Sequence, residues 1–79
     1  MALLDRGDLV KVAGDIYYDR PTYDRMVAQV LATIDGRGSI AVADLRELFG
    51  TTRKYAVPFL EHLDEVRVTR RQGDVRVRW

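Results

Sequence analysis

The chain contains no cysteine among its 79 residues, so neither a disulfide framework nor a thiolate metal site is available to it. Its single histidine, His62, has no companion at metal-ligand or triad spacing. A histidine-assisted nucleophile and an imidazole-based metal centre are therefore not expected, and no acid pair with an evident base replaces them. His62 is read instead as a surface or partly packed residue. No apolar run approaches the length of a membrane span, and the N-terminus does not read as a signal peptide. Both observations predict a cytoplasmic protein. The phosphate-loop pattern G-x-x-x-x-G-K-[ST] is missing as well, so no nucleoside triphosphate site, no cofactor and no catalytic residue are expected in this chain. Excess charge is nearly absent: thirteen Lys and Arg against twelve Asp and Glu leave a net charge of +1. Seventy-nine residues make one small domain, or one domain plus a scrap of another, and a domain this small buries only ~60% of its unfolded surface.

The distribution of charge says more than its total. Residues 1–50 carry six cations and eight acids, a net of −2, whereas residues 51–79 carry seven cations and four acids, a net of +3. Three of the four late acids, Glu61, Asp64 and Glu65, fall together and read as a solvated helix face. The cations cluster at Arg53-Lys54 and from Arg67 to Arg78. Phosphate binding needs a local basic surface, whatever the net charge of the whole.

Along the chain, Leu3 to Gly7 reads as a helix end closed by glycine. Asp8 to Tyr18 alternates around Ala13-Gly14-Asp15 and predicts a first β-hairpin. Leu4 to Val12 resembles Leu63 to Val68: each runs helix end, strand, Gly-Asp turn, strand. This weak internal repeat suggests two units of one kind. On that reading residues 1–20 are the tail and hairpin of a preceding unit and residues 21–79 a complete one. Pro21 and Thr22 open a helix whose stripe is Met26, Val27, Val30, Leu31 and Ile34. Asp35-Gly36-Arg37-Gly38 ends it. Ser39-Ile40 predicts a short strand able to pair with the C-terminal hairpin. Val42 to Phe49 is a short helix with Leu45, Leu48 and Phe49 inward, started poorly by Ala41. Gly50 suits a left-handed helix end and Thr51 an N-cap, so helix, glycine turn, helix follow in sequence. The third helix places Ala56, Phe59, Leu60, Leu63 and Val66 on its core stripe, and Pro58 is expected to kink or tighten it.

The last segment alternates apolar and basic residues around Gly73-Asp74. It predicts a hairpin with Val66, Val68, Val75, Val77 and Trp79 facing the core. Arg67, Thr69, Arg71, Arg76 and Arg78 would face away, and Arg70, though in the inward register, would reach solvent near the turn. The fold class is α+β, a winged helix: three helices and a C-terminal hairpin wing, preceded by the hairpin remnant of a neighbour.

Gly50-Thr51-Thr52-Arg53-Lys54-Tyr55-Ala56-Val57-Pro58-Phe59-Leu60-Glu61-His62-Leu63-Asp64, followed by Val68-Thr69-Arg70-Arg71 and Gly73-Asp74-Val75-Arg76, resembles the C-terminal winged helix of the bacterial selenocysteine-specific elongation factors, SelB. Leu9 to Tyr18 resembles the wing of the preceding winged helix in that family. Ala41 departs from the polar cap common there, which touches helix stability more than function. The resemblance implies an RNA-binding module that tethers a translation factor to the SECIS mRNA hairpin at a recoded UGA codon. Ribosome, selenocysteinyl-tRNA and GTP binding would lie in domains absent from this chain, and the chain itself would act as a monomer.

The expected contacts are Thr51, Arg53, Lys54 and Tyr55 from the helix start and Arg70, Arg71, Gln72 and Arg76 from the wing. Each has a plainer reading. Arg53 and Lys54 could be a solvated helix start, Tyr55 could pack the core, and Arg76 and Arg78 could guard an edge strand. Tyr17, Tyr18 and Tyr23 are expected to pack the first hairpin onto the first helix. Two other classes stay open on the residues alone. One is a DNA-binding winged helix of a transcription regulator, the other a winged helix that makes only protein contacts. A duplex reader usually dimerises, and no extra dimerisation helix is present; a protein-only module has no need of so many arginines.

Overall fold

The computed structural model describes residues 9–79. The helix end expected at Leu3–Gly7, and with it the first part of the internal repeat, lies outside them. The chain opens with strands β1 (Leu9–Ala13) and β2 (Ile16–Asp19), an antiparallel pair turning at Gly14, whose φ is 39°. Helix α1 (Arg20–Arg37) follows at once. The Asp19 carboxylate caps it by accepting from the Thr22 N–H at 3.3 Å. Strand β3 (Ile40–Ala41), helix α2 (Val42–Phe49) and helix α3 (Arg53–Glu65) come next, then β4 (Thr69–Gln72) and β5 (Val75–Arg78). The last three strands form one sheet in the order β3-β5-β4, so the predicted short strand does pair with the C-terminal hairpin.

The core is the meeting of the three helices with one sheet face. Val30, Ile34, Ile40, Leu45, Ala56, Phe59, Leu60 and Leu63 are buried there. Phe59 is its hub, with Tyr18, Tyr23 and Phe49 all edge-on to its ring at centroid distances of 5.8, 6.0 and 6.1 Å. Tyr18 and Tyr23 thus tie the first hairpin and α1 to α3, where packing of the hairpin onto α1 was expected, while Tyr17 lies exposed. The Tyr23 hydroxyl meets His62 Nε2 at 2.8 Å, so the single histidine is a packed structural residue. Burial holds its imidazole below the ordinary value, against a smaller opposing pull from Glu65. A base depressed in the folded state stabilises fully above its unfolded value of ~6.5 and loses that contribution as pH falls through it. The urea midpoint should therefore drop on acidification from pH 7 to 5.5, and part of that drop should vanish in His62→Gln.

The wing corrects the sequence reading. Ile40 pairs with Arg76 and is fully buried, and cross-strand partners share a face. Arg76 therefore points at the helices, together with Thr69, Arg71 and Arg78, while Arg70, Gln72, Val75 and Val77 share the outer face. Only 6% of Arg76 is exposed. A guanidinium can be buried here because the Asp64 carboxylate accepts from its Nε at 3.2 Å. Asp64 is thus not simply part of a solvated face. Arg78 makes a two-point ion pair with Asp35 of α1, at 2.7 and 2.9 Å. Val66 and Trp79, expected in the core, are 49% and 60% exposed, and Leu48 is exposed as well. Val66 is where α3 ends, so it no longer follows the helical stripe. The Arg67 guanidinium covers the Trp79 ring at 5.2 Å from its centroid.

Helix ends differ in detail from the sequence reading too. Ala41 supplies no cap, but its N–H donates to Asp44 Oδ2 at 2.9 Å, half of a capping box, and Arg37 pairs with the same carboxylate. Gly50 is left-handed, with φ 60°, and the Thr51 N–H closes the turn on the Arg46 carbonyl at 3.0 Å. That assigns Thr51 to the end of α2. The N-cap of α3 is Thr52, whose side chain makes no cap bond. Helix α3 runs unbroken through Pro58. In α-helical geometry the N–H that Pro58 lacks would have bonded the Lys54 carbonyl, close enough to the helix start for the loss to be mild.

Candidate nucleic-acid interface

Everything in the candidate site radiates from the start of α3. The Gly50 turn sets α3 across α2, and the three core residues Ala56, Phe59 and Leu60 fix which side of α3 faces inward. Arg53, Lys54 and Tyr55 are left exposed on the other side. With no side-chain cap at Thr52, the first amides of α3 keep their hydrogen-bonding capacity, and the helix dipole makes this end positive. Two cations at a positive end repel one another unless an anion is present. Among the described residues, neither makes an ion pair with a carboxylate.

Three recesses surround this helix start. One, of about 500 Å³, runs between α3 and the wing, with Arg53 on one wall and Arg71 and Arg76 on the other; Glu61 and Asp74 also line it. The second, of about 420 Å³, lies between α3 and the first hairpin and is bounded by Asp15, Tyr17, Lys54 and Tyr55. The third, of about 350 Å³, lies between the helices. Its floor is aromatic, from Tyr18, Phe49, Tyr55 and Phe59, and its rim polar, from Arg25 and Thr51. Tyr55, 42% exposed, stands between the second and third recesses, and the Lys54 ammonium lies 5.6 Å from its ring centre. Burial, with the Tyr55 phenol nearby, pushes the Tyr18 hydroxyl up, so it stays neutral at working pH.

This layout can do two things chemically. Arginines facing each other across a cleft suit a run of backbone phosphates, and an exposed tyrosine beside a cation suits an unstacked base. Arg53, Arg71 and Arg76 share one cleft; Thr51 and Tyr55 share the aromatic recess; Lys54 stands beside Tyr55. Arg70 and Gln72 are not with them, because strand alternation puts both on the outer face. Arg25 was missed by the sequence reading. Its signal was present: Thr22, Arg25 and Gln29 recur at helical spacing beside the apolar stripe of α1, and all three line the aromatic recess.

A helix-turn-helix closed by a three-stranded sheet whose last two strands form a hairpin is a winged helix. The winged-helix family of elongation factor SelB matches residues 32–78, more than half of the chain. The chain belongs to that family. It is 35% identical over 74 residues to the selenocysteine-specific elongation factor of Desulfomicrobium baculatum, covering 94% of this chain and 12% of that protein. The factor of Escherichia coli strain K12 is likewise 35% identical over 72 residues, 87% of this chain and 11% of that protein. The chain therefore spans about an eighth of the length of these relatives. Among solved structures, it superposes on the mRNA-binding domain of E. coli elongation factor SelB in complex with SECIS RNA. The TM-score is 0.88 at 26% identity, over 98% of this chain and 64% of that one.

Proposed function

We propose that this chain is the mRNA-binding end of a selenocysteine-specific elongation factor, and that it grips a SECIS mRNA hairpin with the start of α3 and the inner face of the wing. The observation that carries this reading is the likeness, over nearly the whole chain, to a domain solved with SECIS RNA. The open, basic start of α3 supplies a physical reason for it. The DNA-binding alternative lacks comparable support. Ribosome, GTP and selenocysteinyl-tRNA belong to parts of the longer protein outside this chain, which works as a monomer in the cytoplasm and needs no cofactor for its own part. Residues 1–20 are the tail and wing of a preceding winged helix, with 21–79 the complete one.

Binding should be dominated by phosphates. With about four engaged, log K for a SECIS hairpin should fall against log salt with a slope of roughly −3 to −4. Salt-independent affinity, or equal affinity for random duplex DNA, contradicts the proposal. The first hairpin should take no part: its turn carries Asp15, and Lys11 is the sole cation of β1 and β2. Lys11→Ala should leave affinity unchanged, and a tenfold loss, about 1.4 kcal/mol, would assign the roles differently.

A further inference from the structure

The chain leaves α3 and enters the wing through only Val66, Arg67 and Val68. Arg67 is the single non-glycine residue with positive φ among the described residues, at 61°, and the Val68 N–H bonds back to the Leu63 carbonyl at 2.9 Å. One left-handed residue thus sets the direction of exit. A second constraint is needed to fix the wing about that pivot, and Asp64 supplies it. Asp64 Oδ1 accepts from the Thr69 hydroxyl at 2.7 Å and Oδ2 accepts from Arg76 Nε at 3.2 Å, so one carboxylate ties α3 to both wing strands. Both donors are buried, which sets this apart from a solvated surface pair. Arg76 pairs across the ladder with Arg71, whose Nε donates to the Gly73 carbonyl at 3.1 Å, and Arg71 and Arg53 line the same cleft. The far end of β5 is held separately to α1 by Arg78 and Asp35.

We propose that Asp64 is a positioning residue for RNA binding: by holding Thr69 and Arg76 it sets Arg71 opposite Arg53, so that one phosphate backbone meets both. This rests on the proposed RNA-hairpin function. Arg76 then acts through Asp64 and holds the wing in place, and the phosphate contact from this face of the wing falls to Arg71. A carboxylate beside a polyanion site makes the idea easy to test, because its two possible roles predict opposite signs. If Asp64 acted through its charge alone, removing it would free Arg76 and tighten RNA binding. If it positions the wing, removing it weakens binding.

The experiment measures the affinity of a SECIS mRNA hairpin across a salt series, with thermal unfolding alongside, for the parent, Asp64→Asn, Thr69→Val, Arg71→Ala and the Asp64→Asn/Arg71→Ala double variant. Thr69→Val removes one bond without changing charge or size, so it decides the matter if Asp64→Asn does not fold. Each of the two network variants should bind about fivefold to tenfold more weakly at temperatures where it is folded. The salt slope should shrink by about one, as for Arg71→Ala. The double variant should be little worse than either single one. Unchanged or tighter binding with the parent's slope, or fully additive losses, overturns the inference. A parent that does not bind the hairpin removes the proposed function, and this inference with it.

Discussion

Phe59→Ala is expected to remove a large share of the domain's stability. Phe59 is almost wholly buried and touches Tyr18, Tyr23 and Phe49, so it joins the first hairpin, α1, α2 and α3 in one cluster. Truncation leaves a cavity that these large rings, each held in its own element, cannot collapse to fill, at a cost of about 3–5 kcal/mol. A domain of this size has roughly 4–12 kcal/mol of stability in total. Circular dichroism should show a midpoint lowered by about 15–30 °C, or no cooperative transition. A midpoint within a few degrees of the parent would show that the hub lies elsewhere.

The opposite pattern is expected for Arg53→Ala and Lys54→Ala. Each should cost about 1–3 kcal/mol of RNA binding and leave the fold intact. Neither side chain enters the core. Their charges sit at the positive end of α3, where the cap residue Thr52 contributes no side-chain bond, so removing one relieves repulsion and can raise the midpoint slightly. Uncapped amides of the first turn remain in both variants and continue to favour an anion, which is why neither change alone should abolish binding. If both variants bind a SECIS hairpin as tightly as the parent, the contact surface lies off the start of α3, and Arg71 becomes the first residue to test.

The helices were legible because their stripes are regular. Val30 and Ile34 on α1, and Ala56, Phe59, Leu60 and Leu63 on α3, are buried as the 3.6-residue period requires. Gly50 and Gly73 marked turns because only a left-handed residue closes them well, and both have φ near 60°. The wing's facing was not legible. Alternation shows which residues share a face, but not which face meets the helices. Four valines and a tryptophan suggested one answer, whereas the register with Ile40 dictates the other, and that register depends on a two-residue strand far away in sequence. The buried Arg76 was hidden for the same reason, since its partner Asp64 is visible only once α3 and the sheet are packed together. The left-handed Arg67 carried no signal at all, because arginine is not a residue that marks such a turn.

For the site, the sequence located the basic start of α3 through local charge and through resemblance. It could not separate Arg71 from Arg70, adjacent residues on opposite faces of one strand. Nor could it place Tyr55, whose ring is neither core nor free surface but the wall between two recesses.

The central claim is that the start of α3 and the inner face of the wing form one RNA-binding surface. The most direct measurement is a titration of the isotope-labelled domain with a SECIS mRNA hairpin, followed residue by residue through backbone amide resonances. Shifts should concentrate at residues 51–57 and 71–76, with the Arg53 and Lys54 amides moving most, while the strand carrying Lys11 and the outer residues of α1 stay still. Shifts centred on the first hairpin, or on the outer sheet face around Arg70 and Val77, would contradict it.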